Sequence, residues 1–411
     1  MSVLVLVESG ARAYREHLLR TLAHGHEVWL LSAAEPTWER PYLAGHSTVD
    51  TTDVGAMTAL ARPVAPDGVL TWYEGRTVHT AHLARALDRP GPAPEAVLCC
   101  RDKHATRRAL AAAGVPGAKS VLVASVAEAR AAAERIGYPV VLKARALGGS
   151  VGVVLVESAD QLARRFRIAR GATSPDATEV PPGDVLVEEY LPGAEVSVDV
   201  AWCGGTPTIA FVARKEIGFP PYFEEVGHLV DGGDPLLADG ALRDLLAAAH
   251  AAVGFDTGWT HSEVRLTPDG PKVVEINPRL GGDLIPYVAE LATGVEAASP
   301  AAAVACGRPP RVEPARRRVA GIRFLYPAGD AIVRAVHVDR ARLPSTVEDA
   351  APLAVPGQQL RLPPAGHVSG RYAFVTTVAG TAGDCRADLA TAAAAVHLEP
   401  LHGGTSNAGL G

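Results

Sequence analysis

Residues 258–279, GWTHSEVRLTPDGPKVVEINPR, have little choice but to double back on themselves. Two runs of alternating apolar and polar residues flank TPDG, a proline- and glycine-containing turn, so the segment reads as a β-hairpin. Side chains two positions apart share a strand face. Glu263 lies on the first arm, and Glu275 and Asn277 share a face at the end of the second. If the arms pair, two carboxylates and an amide oxygen converge. Hard oxygen donors at a cleft suit Mg2+, which completes its shell with waters and phosphate oxygens. Arg279 follows, with a planar fork of donors suited to phosphate or carboxylate. Gly281 and Gly282 lack a Cβ and allow backbone to approach a substrate closely. Glu263 alone would pass for an ordinary strand-end acid; the set, flanked by apolar residues, is what points to a site.

Upstream, the first ~95 residues alternate strand and helix patterns: VLVLVES, ARAYREHLLRTLAHG, EVWLLSA, DGVLTWYE and GRTVHTAHLARALD. That alternation predicts right-handed βαβ units and a parallel sheet. RPGPAP, residues 89–94, reads as a linker. Residues 96–175 hold a helix over RDKHATRRALAAAG, a second over AEARAAAERIG, a buried strand in YPVVLKARA and a glycine-rich turn into another strand. They predict a small α+β lobe. GATSPDATEVPPGD, residues 171–184, is expected to be a mobile connection. VLVEEYLPGAEVSVDVAWCGGTPTIAFVARKE predicts several antiparallel strands, and DGALRDLLAAAHAAVG and 287–306 predict helices. GRPPRVEPARRR reads as a further linker. The last ~95 residues show short strands and helices with little evident chemistry.

Composition narrows the class. The chain has 411 residues, enough for several domains. A net charge of -6 argues against a protein whose main task is gripping nucleic acid. The five cysteines are odd in number and form no CxxC, so neither a disulfide framework nor a zinc knuckle is expected. MSVLVLVESG reads as a first strand, not a signal peptide, and no apolar run approaches the ~20 residues of a membrane span. A soluble, cytoplasmic protein without membrane or nucleic-acid partners is expected.

Two further segments carry chemistry. Lys143 ends an apolar strand just before ALGGSVG, where a lysine can neutralise phosphate charge and backbone amides can cap phosphate oxygens. The loop alone is a weak signal. No GxxxxGK[ST] and no strand-to-helix GxGxxG is present, which excludes those two phosphate-binding signatures. VLVEEYLPGAEVSVDV sets Glu188, Glu189 and Glu195 around a Pro-Gly bend; it can serve a purine and its ribose, or be an exposed acidic turn.

In order, DKHATRRALAAAGVP, YPVVLKARALGGSVGV, VLVEEYLPGAEVS, HSEVRL and VVEINPRLGGD resemble the ATP-grasp superfamily, specifically carboxylate–amine ligases similar to L-amino-acid ligases. The resemblance runs over about 1–305 and is looser beyond. It implies an α/β and α+β multidomain ATP-grasp fold. The implied parts are a parallel βαβ domain (1–95), a small lid lobe (96–178), an antiparallel-sheet large lobe (179–308) and a C-terminal α+β domain (309–411). It implies that Lys103 and Lys143 contact nucleotide phosphates and that Gly148, Gly149, Ser150 and Gly152 form the loop covering them. Glu188, Glu189 and Leu191 match the adenine hinge, Leu191 through its backbone, and Glu195 matches the ribose acid. Glu189 departs from the lysine that many relatives carry there. Glu263, Glu275 and Asn277 match metal ligands, and Arg279 the arginine that steadies an acyl-phosphate. YFEEVGHLV matches a substrate-pocket segment through Glu225 and His228, although a purely structural histidine fits His228 as well; Gly282 joins the pocket.

The implied cofactors are ATP and Mg2+ or Mn2+. The implied reaction is ADP-forming. A small carboxylate takes the γ-phosphate, an amine displaces it, and the lid lobe closes to exclude water. Lys143 and Arg279 would be catalytic, and Glu225 would take the amine's proton. Partners would be small carboxylates and amines, in a homodimer. The alternatives are a relative with a different acceptor, of purine-pathway or carboxylase type, and a nucleotide-binding regulator without turnover.

Overall fold

The computed structural model describes residues 1–173, 180–181 and 183–401. The chain opens with β1 (Ser2–Val7), α1 (Arg12–Gly25), β2 (His26–Ser32), β3 (Gly45–Thr48), α2 (Val54–Ala61), β4 (Gly68–Leu70) and α3 (Thr77–Ala86). The strands form a four-stranded sheet in the order β3-β2-β1-β4, with every pairing parallel. β1 and β2 are apolar on both faces because helices cover both, as parallel sheets require. Leu18, Leu19 and Leu22 of α1 pack into the same core as Leu4, Leu6 and Leu30. β3, with the sequence GHST, is an edge strand that no apolar run announces.

The lid region follows with α4 (Pro94–Arg101), α5 (Lys103–Ala112), β5 (Ser120–Val123), α6 (Val126–Ile136), β6 (Val140–Ala144), β7 (Val153–Val156), α7 (Ala159–Gly171) and β8 (Val185–Glu189). Pro94 stands at the first turn of α4, where its fixed φ suits a helix start, so the expected linker gives way to helix at its last residue. α6 begins with a capping box: Ser125 Oγ accepts from Glu128 N at 3.2 Å, and Glu128 Oε2 accepts from Ala124 N at 3.0 Å. The sheet order is β5-β8-β6-β7, all antiparallel, with α6 and α7 against its inner face. The connection expected over 171–184 lies largely outside the described residues.

The remainder comprises β9 (Ala194–Cys203), β10 (Thr206–Gly218), β11 (Glu224–Asp231), α8 (Gly240–Val253), β12 (Gly258–Thr267), β13 (Gly270–Asn277), α9 (Ile285–Thr293) and α10 (Ala298–Ala305). After them come β14 (Val319–Leu325), β15 (Ala331–Val338), β16 (Val347–Pro352), β17 (Gln359–Leu360), β18 (Ala373–Ala379), α11 (Ala382–Ala393) and β19 (Val396–Pro400). One eight-stranded sheet runs β13-β12-β9-β10-β11-β14-β18-β16. The boundary expected at 308/309 therefore falls between strands that pair with each other: β11 and β14 are neighbours, Gly227 opposite Arg323. All five cysteines are free. Among the described residues, no helix is long and apolar enough to cross a membrane.

Candidate active site

β12 and β13 form the hairpin, with Glu263 opposite Glu275 and His261 opposite Asn277. Paired residues point to the same face, so this register gathers both carboxylates and the amide on one side. The Glu263 and Glu275 side chains are each 16% exposed, at the wall of a cleft of about 730 Å³. Asn277 is buried behind them. Lys103 Nζ, at the start of α5, lies 3.0 Å from Glu275 and donates to the Leu147 carbonyl at 2.6 Å, so it joins the hairpin to the lid loop.

Lys215 on β10 is the cation that sequence reasoning missed. Its side chain is 1% exposed, and Nζ lies 3.1 Å from Glu195, 2.7 Å from Glu225 and 2.9 Å from Glu263. Burial lowers its pKa, but the three carboxylates outweigh that and hold it well above the ordinary lysine value. The negative charge is still in excess. Burial first, then Glu225, Glu275 and Glu195, push the Glu263 carboxyl up against the pull of Lys215. Crowded oxygen donors short of positive charge are a fit environment for a divalent cation. The only sign in the sequence was a lysine ending the apolar run TIAFVARK, the same pattern that marked Lys143.

On the β6–β8 side of the cleft, Lys143 Nζ lies 2.8 Å from Glu188, and Arg107 Nε donates to the same carboxylate at 2.7 Å. Glu188 is 1% exposed. Burial would raise its carboxyl, but Arg107 and Lys143 hold it well below the usual carboxylate range. Its carboxylate is thus paired with two cations in the wall of the cleft. Glu189, Leu191 and Glu195 line the cleft. Glu189 accepts from Lys119 N at 3.2 Å, and Glu195 is held by Lys215 and by Arg265 Nε at 2.8 Å. In the lid loop, Gly149 and Ser150 face the cleft, Gly148 and Gly152 border its outer mouth, and Ser150 Oγ donates to Phe223 O at 2.6 Å.

Arg279 is not free in the cleft. Its Nε donates to Glu74 Oε2 at 3.1 Å, and Arg101 pairs with the other oxygen of Glu74. Glu74 follows β4, at the carboxyl end of a parallel strand, which is where ligand clefts of such sheets open. That position was the one available signal for it.

Glu225 lines the same cleft, its oxygens facing Lys215 at 2.7 Å and His228 Nε2 at 3.3 Å. His228 is 1% exposed and sits behind Glu225 and Asp283, 3.2 Å from the latter. Asp283 accepts two bonds from Arg371 at 2.7 and 2.8 Å. Arg371 Nε donates to Tyr326 Oη at 2.9 Å, and Tyr326 Oη donates to Glu224 at 2.6 Å. Glu225, His228 and Asp283 offer ligand atoms within 4.8 Å of one another. Lys215, shared with Glu195 and Glu263, faces Glu225, and Arg371 pairs with Asp283, so the trio is tied into an internal network. Arg371 and Tyr326 come from the region where the sequence showed little chemistry.

Gly281 has a different role from the one expected. A Cβ there would lie 2.9 Å from His261 Nδ1 and 3.4 Å from Asp199 Oδ2. Its missing side chain makes room for the buried His261–Asp199 pair, 2.7 Å apart, and not for substrate. Gly282 lines the adjoining cavity with Glu263, Arg279 and Asp283.

A lysine-lined cleft under a glycine loop, floored by a carboxylate-bearing hairpin and roofed by a small antiparallel lobe, defines a nucleotide-dependent enzyme of the ATP-grasp type. The ATP-grasp domain family model matches residues 136–287. The uncharacterized protein y4rH of Sinorhizobium fredii is 30% identical over 373 residues, 86% of this chain and 74% of that one. Carnosine synthase 1 of Homo sapiens is 31% identical over 277 residues, 64% of this chain but only 33% of that longer protein. The crystal structure of L-amino acid ligase from Bacillus licheniformis superposes with a TM-score of 0.78, covering 98% of this chain and 99% of that one at 20% identity. The chain belongs to the ATP-grasp family, among its ligases.

Proposed function

We propose that the protein is an ADP-forming carboxylate–amine ligase that joins a small, amino-acid-like carboxylate to an amine through an acyl-phosphate. The register that sets Glu263 opposite Glu275, with Lys103 and Arg279 at the two ends of the pair, carries this reading. Lys103 and Lys143 would meet the nucleotide phosphates, the loop with Gly148, Gly149, Ser150 and Gly152 would cover them, and Leu191 with Glu189 and Glu195 would hold the nucleoside. Glu263, Glu275 and Asn277 would hold Mg2+ or Mn2+, which supplies charge neutralisation on the triphosphate. Arg279 would trade its bonds to Glu74 for the reacting carboxylate's oxygens. Lys215 would keep Glu225 and Glu263 in place and offset charge as the phosphoryl group moves. This reaction needs no protein nucleophile.

The test is phosphate release from ATP with a matrix of amino acids, products being read by mass spectrometry. Release should require both an acid and an amine, with a product mass equal to their sum less one water. Release without a condensation product, or ATP binding without any release, would overturn the reading.

A further inference from the structure

The cleft does not stop at Arg279. It opens into a chamber of about 1300 Å³, open to solvent, bounded by Tyr14 and Arg15 of α1, Trp72, and the Asp283–Arg371 pair. Most of the charge here is answered in kind: Arg279 by Glu74, Arg371 by Asp283. Arg15 is not. Among the described residues it has no carboxylate at ion-pair distance, and its one hydrogen bond runs from Nη1 to the Gly281 carbonyl at 3.0 Å. Burial and the nearby Arg279 push its guanidinium down to about 10, against the pull of Asp283, Glu74 and Asp199, none of which reaches it as an ion pair.

The surroundings fix Arg15 in place. Gly10 has φ +78, and a Cβ there would press on Arg15 Cγ at 3.3 Å, so a glycine seats the stem. α1 has Ala11 at its N-cap, with no side-chain cap and no acid in its first turn. Ala11 and Ala13 line the chamber, so the uncapped amides add to its positive potential. The order along the cleft gives the occupant. The nucleotide cleft shares Glu263 with the next cavity, and that cavity shares Arg279 with the chamber. A phosphoryl group passing from nucleotide to acid leaves the far side of the acid for the amine.

We propose that Arg15, with the start of α1, binds an anionic group on the amine substrate, a carboxylate or a phosphate, that takes no part in the reaction and remains in the product. This rests on the ligase reading above. Two measurements test it. The first compares Arg15→Met, which keeps the stem and removes the charge, with the parent enzyme in amine-dependent phosphate release, using each L-amino acid and its carboxamide as amine. The KM for the anionic amine should rise roughly 10- to 100-fold, with little change for the carboxamide, and Arg15→Lys should restore part of the loss. Equal losses with both amines, or none, would overturn the proposal.

The second measurement needs no turnover. Calorimetric titration of the MgADP complex with glycine, aminomethylphosphonate and glycinamide should show binding of one or both anionic probes that weakens in Arg15→Met. The stronger anion tells carboxylate from phosphate. Identical isotherms for parent and variant would also overturn the proposal. If no amine pair supports release while the anion binding depends on Arg15, the ligase reading fails and the anion site stands.

Discussion

Glu188 shows how the site holds charge out of water. A carboxylate this buried would ordinarily take up a proton, and it stays ionised because Arg107 and Lys143 both reach it. Its folded-state pKa lies below its unfolded value, so its contribution to stability is present above the unfolded carboxylate value of ~4.3 and is lost as pH falls through the folded one. Urea-unfolding midpoints should therefore drop as pH is lowered below ~4. In Glu188→Gln the same acid limb should be shallower, from a lower starting stability. A variant whose acid limb matches the parent's would show that the triad contributes nothing to this dependence. Lys215 has the opposite sign and the same logic: three acids keep it charged, and it holds them together.

At the level of elements, the hairpin was the most legible part of the molecule. TPDG fixed the turn, period-two alternation fixed the faces, and together they brought Glu263, Glu275 and Asn277 to one side. Lys143 was legible for a similar reason, as a cation closing an apolar strand. Glu74, Arg15, Asp283 and Arg371 were not, because they sit far apart in the chain and meet only when three sheets assemble around one cleft. The sequence also suggested a reason for Gly281 that packing replaced. Its consequence is testable: Gly281→Ala places a methyl against His261 Nδ1 at 2.9 Å, with both His261 and its partner Asp199 buried. Overpacking of this kind costs about 1–3 kcal/mol, so the melting temperature should fall and turnover with it, while Gly282→Ala, with nothing within 4 Å, should melt like the parent. Indistinguishable melting of the two variants would remove the packing explanation.

Across the whole molecule, the long sheet makes the last hundred or so residues part of the same body as the cleft. β14 continues from β11, β18 from β14, and Leu229 of β11 shares a core with Val319, Val375 and Leu389. A chain ending at residue 308 should leave β11 as a bare edge and that core open. Its expected behaviour is aggregation or loss of cooperative unfolding, read by circular dichroism and light scattering; a soluble, cooperatively melting fragment would argue that the two parts are separable. The lid, by contrast, carries its own sheet and its own core.

Arg371 reaches Asp283 from just before β18, so one segment supplies both a sheet neighbour and a wall of the chamber beside Arg15. Grafting a tail from a relative to alter what the enzyme accepts would thus exchange the foundation together with the fitting. Chimeras should rarely change preference alone, and tolerance of the new junction and the new selectivity will be inherited as a package.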